Sequence, residues 1–271
     1  MTTLAPLLPR KSFLALMRAF TLTAAILIPA FYAHAASYKI LYRFQGGNDG
    51  WLPYGNLLSD GHGGFYGTTY NGGSTTLCRG NGCGTVFHLT PPTAADAAWA
   101  ETVLYSFQGG ESDGEGPNGN IVIDSDGSLY GATLGGGSAN TGVIYKLSPP
   151  AQAGGAWSET ILHAFTFGSP DGDAPTGGVV WAPSHALYGE TNYGGIYRGD
   201  CEDTGCGTIY QVAPPAEASG SWSESVLYSF ELPQCCGDYG TIVYRDGVLY
   251  GSSFYGGSTA TAACLRWCLQ G

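Results

Sequence analysis

The chain has 271 residues, a formal net charge of −11 and only 11% charged residues, which excludes a nucleic-acid surface built on clustered Lys and Arg. Its 44 glycines follow no three-residue period, so it is not a collagen, and 13% aromatic residues exclude a disordered tail. A turn-rich, aromatic-rich, charge-poor chain points to an all-β fold of many short strands.

Residues 1–35 have the pattern of a secretory signal peptide. Arg10, Lys11 and Arg18 form a positive start, and residues 19–32 are apolar but too short to span a bilayer. Ala33-His34-Ala35 makes a small-x-small cleavage site. The mature chain, residues 36–271, is expected to be exported: extracellular, periplasmic or at the cell surface. No second apolar run of membrane length follows, so no membrane span is expected in it.

Residues 39–44 form the first expected strand, Leu41-Tyr42-Arg43-Phe44 being a variant of Leu104-Tyr105-Ser106-Phe107, Leu162-His163-Ala164-Phe165 and Leu227-Tyr228-Ser229-Phe230. A Tyr-Gly pair recurs at 66–67, 130–131, 188–189 and 250–251. A Gly-led strand ending in Pro-Pro recurs at 84–92, 142–150 and 207–215, and Trp99, Trp157 and Trp222 follow. The period is about sixty residues, with repeats near 45–107, 108–165, 166–230 and 231–271.

In the second repeat, strands are expected at 120–124, 128–133, 142–147 and 157–165, with Ser125-Asp126-Gly127 as a tight turn. Pro149-Pro150 ends the third, because proline donates nothing to a ladder. Four antiparallel strands make one propeller blade, which cannot bury both faces alone and must stack on neighbours. The expectation is a β-propeller-like array of about four four-stranded blades, the last incomplete, with residues 39–44 available to complete the final blade. The pattern breaks after Gly257, which suggests a truncated or frame-shifted product of a longer parent.

Eight cysteines behind a signal peptide suggest disulfides. Cys78 and Cys83, and Cys201 and Cys206, occupy equivalent C-x4-C loops, and the shorter loop of the second repeat has none. A local disulfide in each longer loop is the natural reading, and a zinc site is the alternative. The pairing of Cys235, Cys236, Cys264 and Cys268 stays open.

No histidine recurs in every repeat, and His163 stands where other copies have Tyr. Carboxylates recur after the fourth strand, at Asp49, Asp113 and Asp171-Gly172-Asp173. Asp-Gly is a turn signal; the functional alternative is calcium held by Asp113, Asp171 and Asp173. No other cofactor is expected. Tyr70, Tyr193 and Tyr255 flank glycine pairs in the variable loop, where exposed rings can stack on sugars.

Tyr66-Gly67-Thr68-Thr69, the run from Gly84 to Pro91 and the run from Trp99 to Phe107 resemble the GloVer tandem repeat of bacterial choice-of-anchor exported proteins. The resemblance covers about residues 38–257. It implies export and surface attachment, and it carries over no catalytic residues. The expected function is that of an exported cell-surface or extracellular binding protein without catalysis, its partner an extracellular glycan or protein. The alternatives are a secreted carbohydrate-active hydrolase and a purely structural envelope protein.

Overall fold

The computed structural model describes residues 38–74, 76–94, 97–166, 168, 170–196, 204–217, 219–231, 235–236, 241–253, 255–256 and 263–268. The expected signal segment, residues 1–35, and Cys201 lie outside them. Residues 41–271 belong to one compact unit. Among the described residues all regular structure is strand, apart from single 3-10 turns at Gly47–Asp49 and Cys78–Gly80. No helix there is long and apolar enough to cross a membrane.

The first sheet is an antiparallel meander of β1 (Trp51–Ser59), β2 (Phe65–Asn71), β3 (Thr85–Thr90) and β4 (Ala100–Ser106). The second has its first strand broken into β5 (Gly114–Pro117) and β6 (Val122–Ile123), followed by β7 (Leu129–Gly136), β8 (Val143–Ser148) and β9 (Ser158–Ala164). The third restores the four-strand order with β10 (Gly172–Trp181), β11 (Leu187–Gly194), β12 (Thr208–Ala213) and β13 (Ser223–Ser229). Beyond it, β14 (Cys235–Cys236) pairs with β17 (Tyr255–Gly256). β16 (Val248–Ser253) is flanked by β15 (Val243–Arg245) and β18 (Ala263–Cys268).

The Tyr-Gly pair owes its glycine to packing inside each sheet. Gly131 on β7 stands opposite Tyr145 on β8, and a Cβ there would lie 2.4 Å from the Tyr145 hydroxyl. The same holds for Gly67 under Phe87 and Gly189 under Tyr210, where the approach would be 2.4 and 2.1 Å. A large third-strand ring therefore lies across a second-strand glycine in each sheet, and no larger residue fits beneath it.

Hydrophobic clusters fill the spaces between successive sheets. One joins Val86 and Phe107 to Ile121, Leu129, Val143 and Tyr145; the next joins Tyr130, Ile144 and Phe165 to Val179, Leu187 and Tyr210. A third joins Tyr188, Ile209 and Phe230 to Ile242 and Leu249. Three phenylalanines at equivalent repeat positions pack edge-on against a third-strand ring ahead: Phe44 on Phe87 at 5.0 Å, Phe107 on Tyr145 at 5.1 Å, Phe165 on Tyr210 at 5.1 Å.

The first strands also meet. A parallel bridge links Asn120 to Gly178, with Asn120 N–H donating to the Gly177 carbonyl at 3.0 Å and Val179 N–H to the Asn120 carbonyl at 3.2 Å. Glycine is required because Gly119 and Gly178 have φ of +85° and +80°, and a Cβ at either would fall about 2 Å from facing backbone. β1 is exposed along most of its length, whereas every residue of β5 and β10 is buried or half-buried.

One expectation is corrected: residues 39–44 form no strand. Tyr42 and Phe44 pack on the first sheet as their counterparts pack on later ones, but no described backbone pairs with them in a ladder. At the other end the repeat motif stops, yet β18 pairs with β16 and sets Leu265 opposite Gly251, the place that Tyr145 takes opposite Gly131. Alternation within Ala263–Cys268 suffices for a strand without the Gly-led start and Pro-Pro end of the other copies.

Candidate functional site

Two kinds of polar site emerge from this packing. The first recurs at the start of each of the three sheets. The Tyr42 hydroxyl donates to Asp49 at 2.8 Å and the Tyr105 hydroxyl to Asp113 at 2.9 Å. At the third site His163 Nε2 lies 3.3 Å from Asp171 Oδ1. Each aspartate also accepts backbone N–H groups: Gln45 for Asp49, Gln108 and Gly114 for Asp113, and Thr166 and Gly172 for Asp171. These residues therefore cap the loop that leads into a sheet.

A glutamate joins each aspartate from the sheet's last strand: Glu101 on β4, Glu159 on β9 and Glu224 on β13. In all three, Oε1 is shielded from solvent and has no hydrogen-bond partner. Burial raises the Glu101 carboxyl to about 7, and the Asp49 charge adds to this. Burial and then Asp113 push Glu159 up in the same direction. Glu224 is raised to about 7 by burial and Asp171, with His163 acting against the rise. Sequence reasoning missed these glutamates, although each stands two residues after a recurring tryptophan, Trp99, Trp157 or Trp222.

Of the three calcium candidates, Asp113 and Asp173 belong to no group of three ligand side chains among the described residues, whereas Asp171 groups with His163 and Glu224. Asp173 stands on β10 opposite Tyr193.

The second site is a cavity of about 360 Å³ where the first disulfide loop faces β5. It is lined by Tyr70, Asn71, Cys78, Arg79, Asn81, Gly82, Glu115 and Gly116. Cys78 and Cys83 form a disulfide with a Cα–Cα distance of 5.2 Å. Within that loop Cys78 and Arg79 take φ of +46° and +60°, a left-handed backbone rare for such residues. Replacing both cysteines by serine is expected to cost about 2 kcal/mol, the chain-entropy value for so short a loop, measured as a shift in urea midpoint. Cys206 is also disulfide-bonded.

Tyr70 and Tyr193 do not form one platform. Counted from the Tyr-Gly pair they differ by one residue, so the strand alternation turns them to opposite faces. Tyr70 is half-buried, its ring lies over Gly116, and it meets Tyr54 edge-on at 5.8 Å. Tyr193 is 40% exposed. The Tyr255 side chain lies outside the described residues.

One aromatic ring, two amides, a guanidinium and a carboxylate around the cavity suit a neutral polyhydroxylated ligand. No curated protein matches the chain. Residues 30–197 and, overlapping them, residues 73–264 match the Gloeobacter/Verrucomicrobia repeat, and the chain belongs to that repeat family.

Proposed function

We propose that the chain is an exported repeat protein, extracellular or held at the cell surface, that binds an extracellular glycan and catalyses nothing. The observation that carries this reading is the cavity beside the Cys78–Cys83 loop, where Tyr70, Arg79, Asn81 and Glu115 converge. A left-handed backbone at Cys78 and Arg79, closed by a disulfide, pre-organises that wall and lowers the entropy cost of binding.

The modules near 45–107, 108–165, 166–230 and 231–271 are proposed to be arranged as in a propeller, with first strands innermost. The parallel bridge between Asn120 and Gly178 supports that arrangement. The hydrolase alternative would draw on the carboxyl pairs. Their recurrence at three equivalent places speaks for loop capping, since a catalytic pair has no need to repeat.

The test is a glycan array probed with the full mature chain and with Arg79→Ala. Losing a charge-assisted hydrogen bond costs about 1.5–3 kcal/mol, so binding is expected to weaken by roughly tenfold or more. A chain that binds no glycan, or an Arg79→Ala variant that binds like the parent, would count against the proposal. Release of reducing sugar from the array ligands would favour the hydrolase.

A further inference from the structure

The geometry points to a binding site for one divalent transition-metal ion of the zinc class, formed by His163, Asp171 and Glu224 between the second and third sheets. His163 comes from β9, Asp171 from the turn just before β10, and Glu224 from β13. Their candidate ligand atoms, one imidazole nitrogen and two carboxylate oxygens, all lie within 4.8 Å of one another. Ligands about 2.1 Å from a tetrahedral zinc stand about 3.4 Å apart. His163 Nε2 and Asp171 Oδ1, at 3.3 Å, already have that spacing. The remaining side chain has only a small distance to close.

Comparison among the three equivalent sites isolates what is special here. At the other two, a tyrosine hydroxyl donates a hydrogen bond of 2.8 or 2.9 Å to the aspartate, and that proton occupies the lone pair a metal would need. At the third, the tyrosine is replaced by a residue whose ring nitrogen is either a donor or a ligand, and its contact with the aspartate is longer. Thr166 N–H and Oγ1 occupy Asp171 Oδ2, while Oδ1 faces the imidazole and takes one further N–H, from Gly172. Glu224 Oε1, shielded from water and without a hydrogen-bond partner, supplies a third donor atom. Phe165 holds the imidazole edge-on at 4.7 Å, which limits the ring's freedom.

The donor set selects the ion class. A histidine nitrogen with two carboxylates suits Zn²⁺, Co²⁺, Mn²⁺ or Fe²⁺, whereas Ca²⁺ seeks six to eight oxygens. Three protein ligands leave a coordination position for water, as in open zinc sites. The His163 and Asp171 side chains keep 21% and 15% exposure, so an ion from solvent can reach them. The ion would tie β9 of one sheet to the third sheet, whether or not the cavity beside Arg79 takes a glycan.

The experiment uses the full mature chain, disulfides intact and stripped by chelator, titrated with Zn²⁺ by calorimetry and with Co²⁺ by visible absorption. One equivalent of each ion is expected to bind, with no thiolate-to-cobalt charge-transfer band. His163→Tyr restores the tyrosine–aspartate pair of the other two sites and is expected to fold, checked by its melting curve. It should weaken Zn²⁺ binding at least tenfold. Glu224→Gln, which keeps shape and removes charge, should do the same. No binding by the parent chain, unchanged binding by both variants, or a cysteine charge-transfer band would each overturn the assignment.

Discussion

Truncation of Phe107 to alanine is expected to lower the stability of the chain by about 3–5 kcal/mol, the range for emptying a buried phenylalanine site. The side chain is fully buried and follows β4. It meets Tyr145 of the second sheet edge-on at 5.1 Å and Tyr105 of β4 at 5.1 Å. The hole would open between two sheets, not within one. Moving Tyr145 into it would draw its hydroxyl end off Gly131, which it now covers. The Phe107 N–H bond to the Gly84 carbonyl, 3.0 Å, survives the substitution, so the loss reports side-chain packing. Modules that lie against one another share this stability, and both adjoining sheets should lose protection together. Urea unfolding followed by far-UV circular dichroism checks the magnitude, and hydrogen exchange checks its spread. A loss under about 1 kcal/mol, ordinary for a surface position, would mean that the sheets do not stack through this ring.

The ring ladder was half legible in the sequence. The recurring Tyr-Gly pair and the phenylalanine closing each fourth strand stand out by spacing, and both proved to be packing positions. Spacing could not say that the two features meet through a third, the third-strand ring that covers the glycine and receives the phenylalanine. That contact joins different repeats and is set by how sheets approach. The same gap hid Glu101, Glu159 and Glu224. Their position two residues after a tryptophan is plain, yet on an amphipathic strand a glutamate reads as a solvated face until the neighbouring loop covers it. Residues 39–44 show the opposite error. Their alternation is that of a strand, but alternation describes faces, and a strand also needs a backbone partner. Tyr70 and Tyr193 both flank glycines, but a one-residue offset, visible in the motif itself, separates them.

Acidification from about pH 8 to about pH 5 is expected to stabilise the chain through the buried glutamates. Burial, reinforced by Asp49, raises Glu101 from its ordinary 4.5 to about 7, and burial with Asp113 raises Glu159 in the same direction. A carboxyl whose folded value is raised binds its proton more tightly in the folded state. Its contribution is fully present below the ordinary carboxylate range and is lost as pH rises through the folded value. Asp60 and Asp124 have the opposite sign, being held below 3.8; their contributions are lost only under more acidic conditions and stay level across this window. One pKa unit corresponds to about 1.4 kcal/mol. Discounted for partial exposure, the two sites together should contribute about 2–3 kcal/mol. Glutamine keeps the shape of a protonated glutamate and cannot ionise. The Glu101→Gln, Glu159→Gln double variant should therefore be more stable than the parent at pH 8, and its unfolding free energy should vary less between pH 5 and 8. Urea midpoints at the two pH values decide the matter. A parent chain that gains stability as pH rises, or a double variant weaker than the parent at pH 8, would show that these carboxyls are ionised in the folded protein and held by partners of opposite charge.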